Sequence, residues 1–168
     1  MIANRFAFLA MLAASEGTST SPATVNNGFD VIVMGADGVP EIFTDYSDHP
    51  FNRGRCSKVI NSRGLTSNAS GRYQFMLRDW IHYRAQLELA DAALYPEGAF
   101  SPAAQDAWAI QLIRERGALP LIDAGSFELA VARVSNLWAS LPGAGYGQFE
   151  QRLDDLKYTY LEAGGFIA

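Results

Sequence analysis

From residue 77 onward, apolar side chains recur at spacings of three and four, a period that confines the C-terminal half of the chain to helices. Over 77–89 this spacing sets Trp80, Tyr83/Arg84 and Leu87 on one side. Ser101 followed by Pro102 offers an N-cap and a proline at the first helical position. The helix so opened carries Ala104, Ala107, Trp108 and Leu112 and stops near Gly117. A helix over 126–141 aligns Ala130, Val134, Leu137, Trp138 and Leu141. The last, over 148–163, aligns Phe149, Leu153, Leu156 and Tyr160 before Gly164-Gly165 ends it.

The N-terminal half has a different rhythm. A first helix over about 3–16 yields to a polar stretch from Thr18 to Asn27. Two strand-like runs, Phe29–Val33 and Glu41–Tyr46, flank turn chemistry at Gly35 to Pro40 and predict a β-hairpin. Gly71–Phe75 reads as a short third strand, and residues 47–70 as a polar loop long enough to suggest a function of its own. The fold class is therefore α+β: one domain over 1–168, a helical body with a small β-hairpin or three-stranded sheet in its N-terminal half. Such a division leaves a cleft between sheet and helices, a common place for a ligand.

Charge and composition exclude several functions. A net charge of −5 argues against nucleic acid as a partner, because phosphate binding needs a basic surface. It gives no help in approaching an anionic cell envelope either. A polymer held here would be held by shape, stacking and hydrogen bonds. The single cysteine, Cys56, rules out an internal disulfide framework and reads as an inert thiol. His49 and His82 belong to no ligand-spaced cluster, so no metal is expected. Gly143-Ala144-Gly145-Tyr146-Gly147 follows a helix instead of a strand, which speaks against a dinucleotide loop. The chain carries no sign of a cofactor or of obligate oligomerisation, and a monomer is expected. Arg5 and the apolar run behind it imitate a secretion signal, with Ala13-Ala14-Ser15 as a cleavage site. The amphipathic helix is the preferred reading, since cleavage would strip away the support of the residue that follows. No apolar stretch is long enough to span a membrane as a helix, so stable insertion is not expected.

That residue is Glu16. It shares one helical face with Phe6, Leu9 and Leu12/Ala13, at the C-terminal end of the helix. Lost solvation and the negative end of the helix dipole both disfavour the ionised form, which would suit a general acid near neutral pH. The other reading is a solvated carboxylate that merely ends a helix. A second acid from Asp30, Asp37, Glu41, Asp45 or Asp48 would complete an ordinary glycosidase pair. Asp45, set between Phe43 and Tyr46, is the best of these, with a turn or cap residue as its alternative. Tyr46, Tyr73 and Tyr146 lie where a ring can meet a sugar face and a hydroxyl can bond to it.

Several contiguous blocks, in order, carry a resemblance. They are Ala10-Met11-Leu12-Ala13 with Ser15-Glu16-Gly17-Thr18, Asp30-Val31-Ile32-Val33, and Phe43-Thr44-Asp45-Tyr46-Ser47-Asp48-His49-Pro50. Gly71-Arg72-Tyr73-Gln74, Glu115-Arg116-Gly117-Ala118-Leu119-Pro120 and the run from Trp138 to Glu150 complete them. In these the chain resembles the bacteriophage lambda endolysin family, the lambda-type lytic transglycosylases. The resemblance implies a lysozyme-like fold and cleavage of the β-1,4 bond between N-acetylmuramic acid and N-acetylglucosamine in peptidoglycan glycan strands, without consuming water. It implies Glu16 as the catalytic acid and then base, with Gln74 and Tyr146 orienting the substrate's N-acetyl group. The substrate-binding candidates are thus Gln74, Tyr146, Tyr73, Asp45, Tyr46 and Gln148. Residues 47–62 and 140–147 resemble the family's two mobile lips. The turn Ala36–Pro40, the connection Asp91–Gly98 and the first lip, Phe51–Asn68, depart from the family pattern. With no convincing export signal, the protein would accumulate in the host cytoplasm and need a holin-type pore to reach periplasmic peptidoglycan. A hydrolytic lysozyme using Glu16 plus Asp45, or a catalytically silent glycan-binding module, are the alternatives.

Overall fold

A computed structural model describes residues 2–168. The protein is mostly helical, with two small antiparallel two-stranded sheets. Two compact units emerge: the residues through Gly17 with Ala109–Ala168 form one, and Thr18–Trp108 the other. Helix α3 (Pro102–Glu115) supplies residues to both.

The first unit is built on α1 (Ile2–Ser15), which packs against α4 (Leu119–Asp123) and α6 (Leu153–Glu162), while α5 (Phe127–Val134) packs on α4. The buried face of α1 is Ala7, Phe8, Leu9, Met11, Leu12 and Ala13, wider than a single stripe, and Phe6 lies outside it, exposed. Phe8, Phe127 and Tyr160 close an aromatic triangle with ring centroids 4.8–6.4 Å apart. Polar groups are satisfied too. Buried Asn4 donates to Ile122 O (2.9 Å) and accepts from Phe166 N (2.8 Å), tying the C-terminal tail to α1.

Three helices differ from their predicted spans, and the one expected over 77–89 ends at Tyr83. The helix expected over 126–141 ends at Val134, where Ser135 Oγ donates back to Ala132 O, and Pro142 disfavours a helical backbone at Leu141 farther along. Trp138 and Leu141 still reach the core, from turns. The last helix starts at Leu153, so Phe149 lies outside it and is 78% exposed. Helix α4 is an addition the periodicity did not reveal. It is a single turn opened by Pro120, too short for a period to register.

The second unit carries the sheets and α2 (Leu77–Tyr83). Strands β1 (Val31–Ile32) and β2 (Glu41–Ile42) form the predicted hairpin, with Val31 opposite Ile42 and Ile32 opposite Glu41. The third strand is not formed. Gly71 and Gln74 hold φ of +76° and +51°, values a strand does not accommodate, and only isolated bridges at Ser70 join Ile32 and Phe75. A second hairpin instead occupies the expected loop: β3 (Lys58–Val59) pairs with β4 (Thr66–Ser67). Its turn is shaped by Asn61 Oδ1, which accepts from Arg63 N and Leu65 N at 3.0 and 3.1 Å. The core is aromatic: Phe75 stacks on Trp108 at 3.8 Å, and Trp80, Phe100 and His49 pack beside it. At the start of α3 the predicted cap is present, with Ala104 N donating to Ser101 Oγ at 3.3 Å.

Candidate active site

Glu16 follows the last residue of α1, its N–H still donating to Leu12 O at 2.9 Å. The helix therefore fixes its backbone at the negative, C-terminal end of α1. Burial pushes the Glu16 carboxyl above the usual range, and hydrogen bonds from the hydroxyl and backbone of Ser140 oppose that rise without cancelling it. Ser140 Oγ donates to Glu16 Oε1 at 2.5 Å, and Ser15 Oγ lies 2.6 Å from Ser140 Oγ. Since the single Ser140 proton faces Glu16, Ser15 is the donor in that second bond. A short relay results: Ser15 to Ser140 to Glu16. At its far end Gln151 closes the structure, with Gln151 N donating to Ser140 O at 2.7 Å and Gln151 Nε2 to Ser15 O at 3.5 Å.

Chemically, this is a carboxylate kept protonated to higher pH than usual, yet supplied with a donor ready to stabilise its anion. Such a group can release a proton and take one back. The sequence singled out Glu16 but not Ser15, Ser140, Gln151 or Glu150. Residues 15 and 140 are 125 positions apart, and no periodicity links them. The one available signal was that Ser15 and Ser140 both lie in the blocks that carried the family resemblance.

The loop that begins at Ser140 also carries Tyr146 and Gln148, both exposed. Tyr146 OH donates to Asn136 O at 2.8 Å, which pins the ring across the loop while leaving it 58% exposed. The remaining candidates lie in the second unit. Asp45 Oδ1 accepts from Ser47 N and Oγ (2.9 and 2.5 Å) and Oδ2 from Arg53 (2.6 Å). Those Ser47 bonds and the Arg53 charge hold its carboxyl below the usual range. This is the turn-residue alternative realised in geometry. Tyr46 packs on Phe43 at 5.2 Å and accepts from Asn26 Nδ2 at 2.7 Å. Next to them a cavity of about 200 Å³ is lined by Phe43, Thr44, Asp45, His49, Arg53 and Arg55.

Tyr73 is placed differently from the expectation of a sugar platform. It is 1% exposed, wedged between Phe29 and Phe75, with its hydroxyl donating to Asp106 at 2.5 Å. Its ring is core. Gln74 beside it is half-buried, and its φ of +51° is a left-handed conformation rare outside glycine. Its Nε2 donates to Gly71 O at 3.1 Å, leaving the side-chain carbonyl as an acceptor. Strain of this kind collects where a side chain must be aimed. Among the described residues no group of three or more His, Cys, Asp or Glu is arranged to hold a metal, and no helix is long and apolar enough to cross a membrane.

Comparisons with known proteins agree with one another. The endolysin family profile matches residues 6–167. An endolysin of Escherichia phage P2 is 59% identical over 165 residues, covering 98% of this chain and 95% of the relative. An endolysin of Escherichia phage lambda is 52% identical over 164 residues, covering 97% and 92%. A solved structure of bacteriophage lambda lysozyme complexed with a chitohexasaccharide superposes with a TM-score of 0.85 at 50% identity, covering 100% of this chain and 98% of the other. A second structure of lysozyme from bacteriophage lambda gives a TM-score of 0.81 at 48% identity, with the same coverage.

Proposed function

The chain belongs to the endolysin family, and we propose that this lysozyme-like enzyme cleaves the β-1,4 MurNAc–GlcNAc bond of peptidoglycan by non-hydrolytic transglycosylation. Glu16 protonates the glycosidic oxygen as the bond to the muramic anomeric carbon breaks. The resulting Glu16 carboxylate then takes the proton from that sugar's own C6 hydroxyl, whose oxygen closes on the anomeric carbon. The product is a 1,6-anhydro ring. The proton returns to Glu16, so no water is consumed and no second carboxylate takes part.

The observation that carries the reading is the pairing at Glu16 itself: a buried carboxyl with a raised proton affinity and one hydroxyl donor, Ser140, on its oxygen. A two-carboxylate enzyme needs a partner held ready to activate water or attack the sugar. Asp45, the best such candidate, is committed to Ser47 and Arg53. Developing charge at the anomeric carbon falls to the substrate's N-acetyl group, with Gln74 and Tyr146 orienting it and Tyr46 and Gln148 contributing to glycan binding. The lambda lysozyme structure that holds a chitohexasaccharide supports a glycan as the ligand. Synthesis in the host cytoplasm, action as a monomer and release to the periplasm through a holin-type pore complete the proposal.

Mass spectrometry of the soluble products from purified peptidoglycan tests it. Muropeptides ending in 1,6-anhydro-muramic acid are expected. Reducing-end muramic acid would make water the acceptor and the enzyme a hydrolytic lysozyme.

A further inference from the structure

The loop between Ser140 and Gln151 is closed twice. At its base Gln151 N donates to Ser140 O at 2.7 Å. Inside, the Glu150 carboxylate gathers two backbone amides of the same loop: Gly143 N donates to Oε2 at 2.8 Å and Gly145 N to Oε1 at 2.9 Å. Both carboxylate oxygens are used, one on each glycine. Gly143, Gly145 and Gly147 hold φ of +80°, +74° and +69°, and the first two turn their N–H groups into a concave nest that an anion fills. Nothing lies within 4 Å of where a Cβ would stand at any of the three, so no packing at the glycines themselves holds the loop in this shape. The hydrogen bonds do. The loop is exposed from Gly145 to Phe149, so its order has to come from such internal bonds.

We propose that Glu150 is a positioning residue for the glycan site: its carboxylate serves as an internal anion that folds the 140–151 loop into a closed clasp and so presents Tyr146 to the substrate. The placement of Tyr146 between the two clasped glycines and Gly147 makes its ring dependent on the clasp, along with its bond to Asn136 O. Loss of the Glu150 anion frees the Gly143 and Gly145 amides and widens the ensemble of the loop. The base closure at Ser140 and Gln151 does not involve the Glu150 side chain, so the hydroxyl donor to Glu16 stays in place. Glu150 thus acts on glycan capture and leaves the proton-transfer group untouched. The backbone amides bonded to Glu150 also hold its carboxyl below the usual range, so the anion persists to lower pH than that of an unbonded glutamate. The functional half of this inference rests on the glycan-cleaving reading above; the structural half does not.

The test compares the full-length protein with Glu150→Gln and Glu150→Ala. Amide exchange at Gly143 and Gly145, followed by NMR, is expected to speed up by roughly tenfold or more in both variants, as two charge-assisted bonds are lost. With purified peptidoglycan, KM is expected to rise roughly tenfold while kcat stays within about twofold. Unchanged exchange at both glycines would overturn the clasp. Faster exchange with unchanged KM, or a fall confined to kcat, would overturn the role in glycan capture. Glu16→Gln run alongside separates the two questions. If that variant still cleaves, the catalytic reading fails, while the exchange data still decide the clasp.

Discussion

At the scale of single residues, Glu16 is held between two opposing influences. Burial at the end of α1 favours its protonated form, and the Ser140 hydroxyl favours its anion. On the proposed mechanism Glu16 gives up a proton and recovers it within one turnover, which needs both influences, since either alone would leave it committed to one state. Ser140→Ala removes the donor, so the anion loses stabilisation and the carboxyl rises further. The basic limb of the pH–rate profile is then expected to move to higher pH, with kcat reduced roughly tenfold for want of the stabilised anion. A profile measured on peptidoglycan, paired with carboxyl-¹³C NMR of Glu16, checks both. An unmoved limb would sever Ser140 from the chemistry. The sequence singled out Glu16 by its place behind an apolar helix and by the matching blocks, although Phe6, assigned to the same face, is exposed. The serine partners of Glu16 were not legible, because serines carry no pattern and the contact spans 125 positions.

At the scale of elements, legibility followed the length of the periodic signal. Helix α3 runs for 14 residues with a serine cap and a terminal glycine, and it formed close to its predicted bounds. The β1–β2 hairpin also formed, although only two residues of each strand pair. The β3–β4 hairpin went unseen in a stretch whose strands are two residues long, where alternation cannot be recognised. Its signal was local: Asn61 and Gly64 placing a tight turn between Val59-Ile60 and Leu65-Thr66. Gly71–Phe75 failed as a strand because its backbone turns left-handed twice. One connection brings two backbone segments too close for a side chain between them. Gly98, at φ +119°, stands where a Cβ would lie 2.3 Å from Tyr46 O, an atom already engaged by Phe100 N at 3.0 Å. Gly98→Ala is expected to cost about 2–4 kcal/mol by displacing the Tyr46 segment, measured by urea unfolding. A change under about 0.5 kcal/mol would mean the connection yields freely.

At the scale of the whole molecule, the second unit's core contains a group that links stability to pH. His49 is buried; its Nε2–H donates to Phe75 O at 3.0 Å while Nδ1 accepts from Phe51 N at 3.3 Å. Burial lowers its pKa from 6.5 to about 4. Between those two values the unfolded chain binds a proton that the folded chain refuses. Stability is therefore full above about pH 6.5 and falls as pH drops through the window toward 4, by about 3 kcal/mol from this group. Urea unfolding at pH 4 to 7 is expected to show that slope, and His49→Gln to flatten it; parallel slopes would place the acid sensitivity elsewhere. The α+β class followed from periodicity, and the glycan-cleaving function from long matching blocks that no composition argument could replace. The central claim is that one carboxylate does the work of two. Cleavage of purified peptidoglycan by Glu16→Gln and Asp45→Asn, measured side by side, tests it most directly. The account predicts a loss of roughly a thousandfold or more for Glu16→Gln and activity within about threefold of the parent for Asp45→Asn. Comparable losses in both variants, with both still folded, would contradict it.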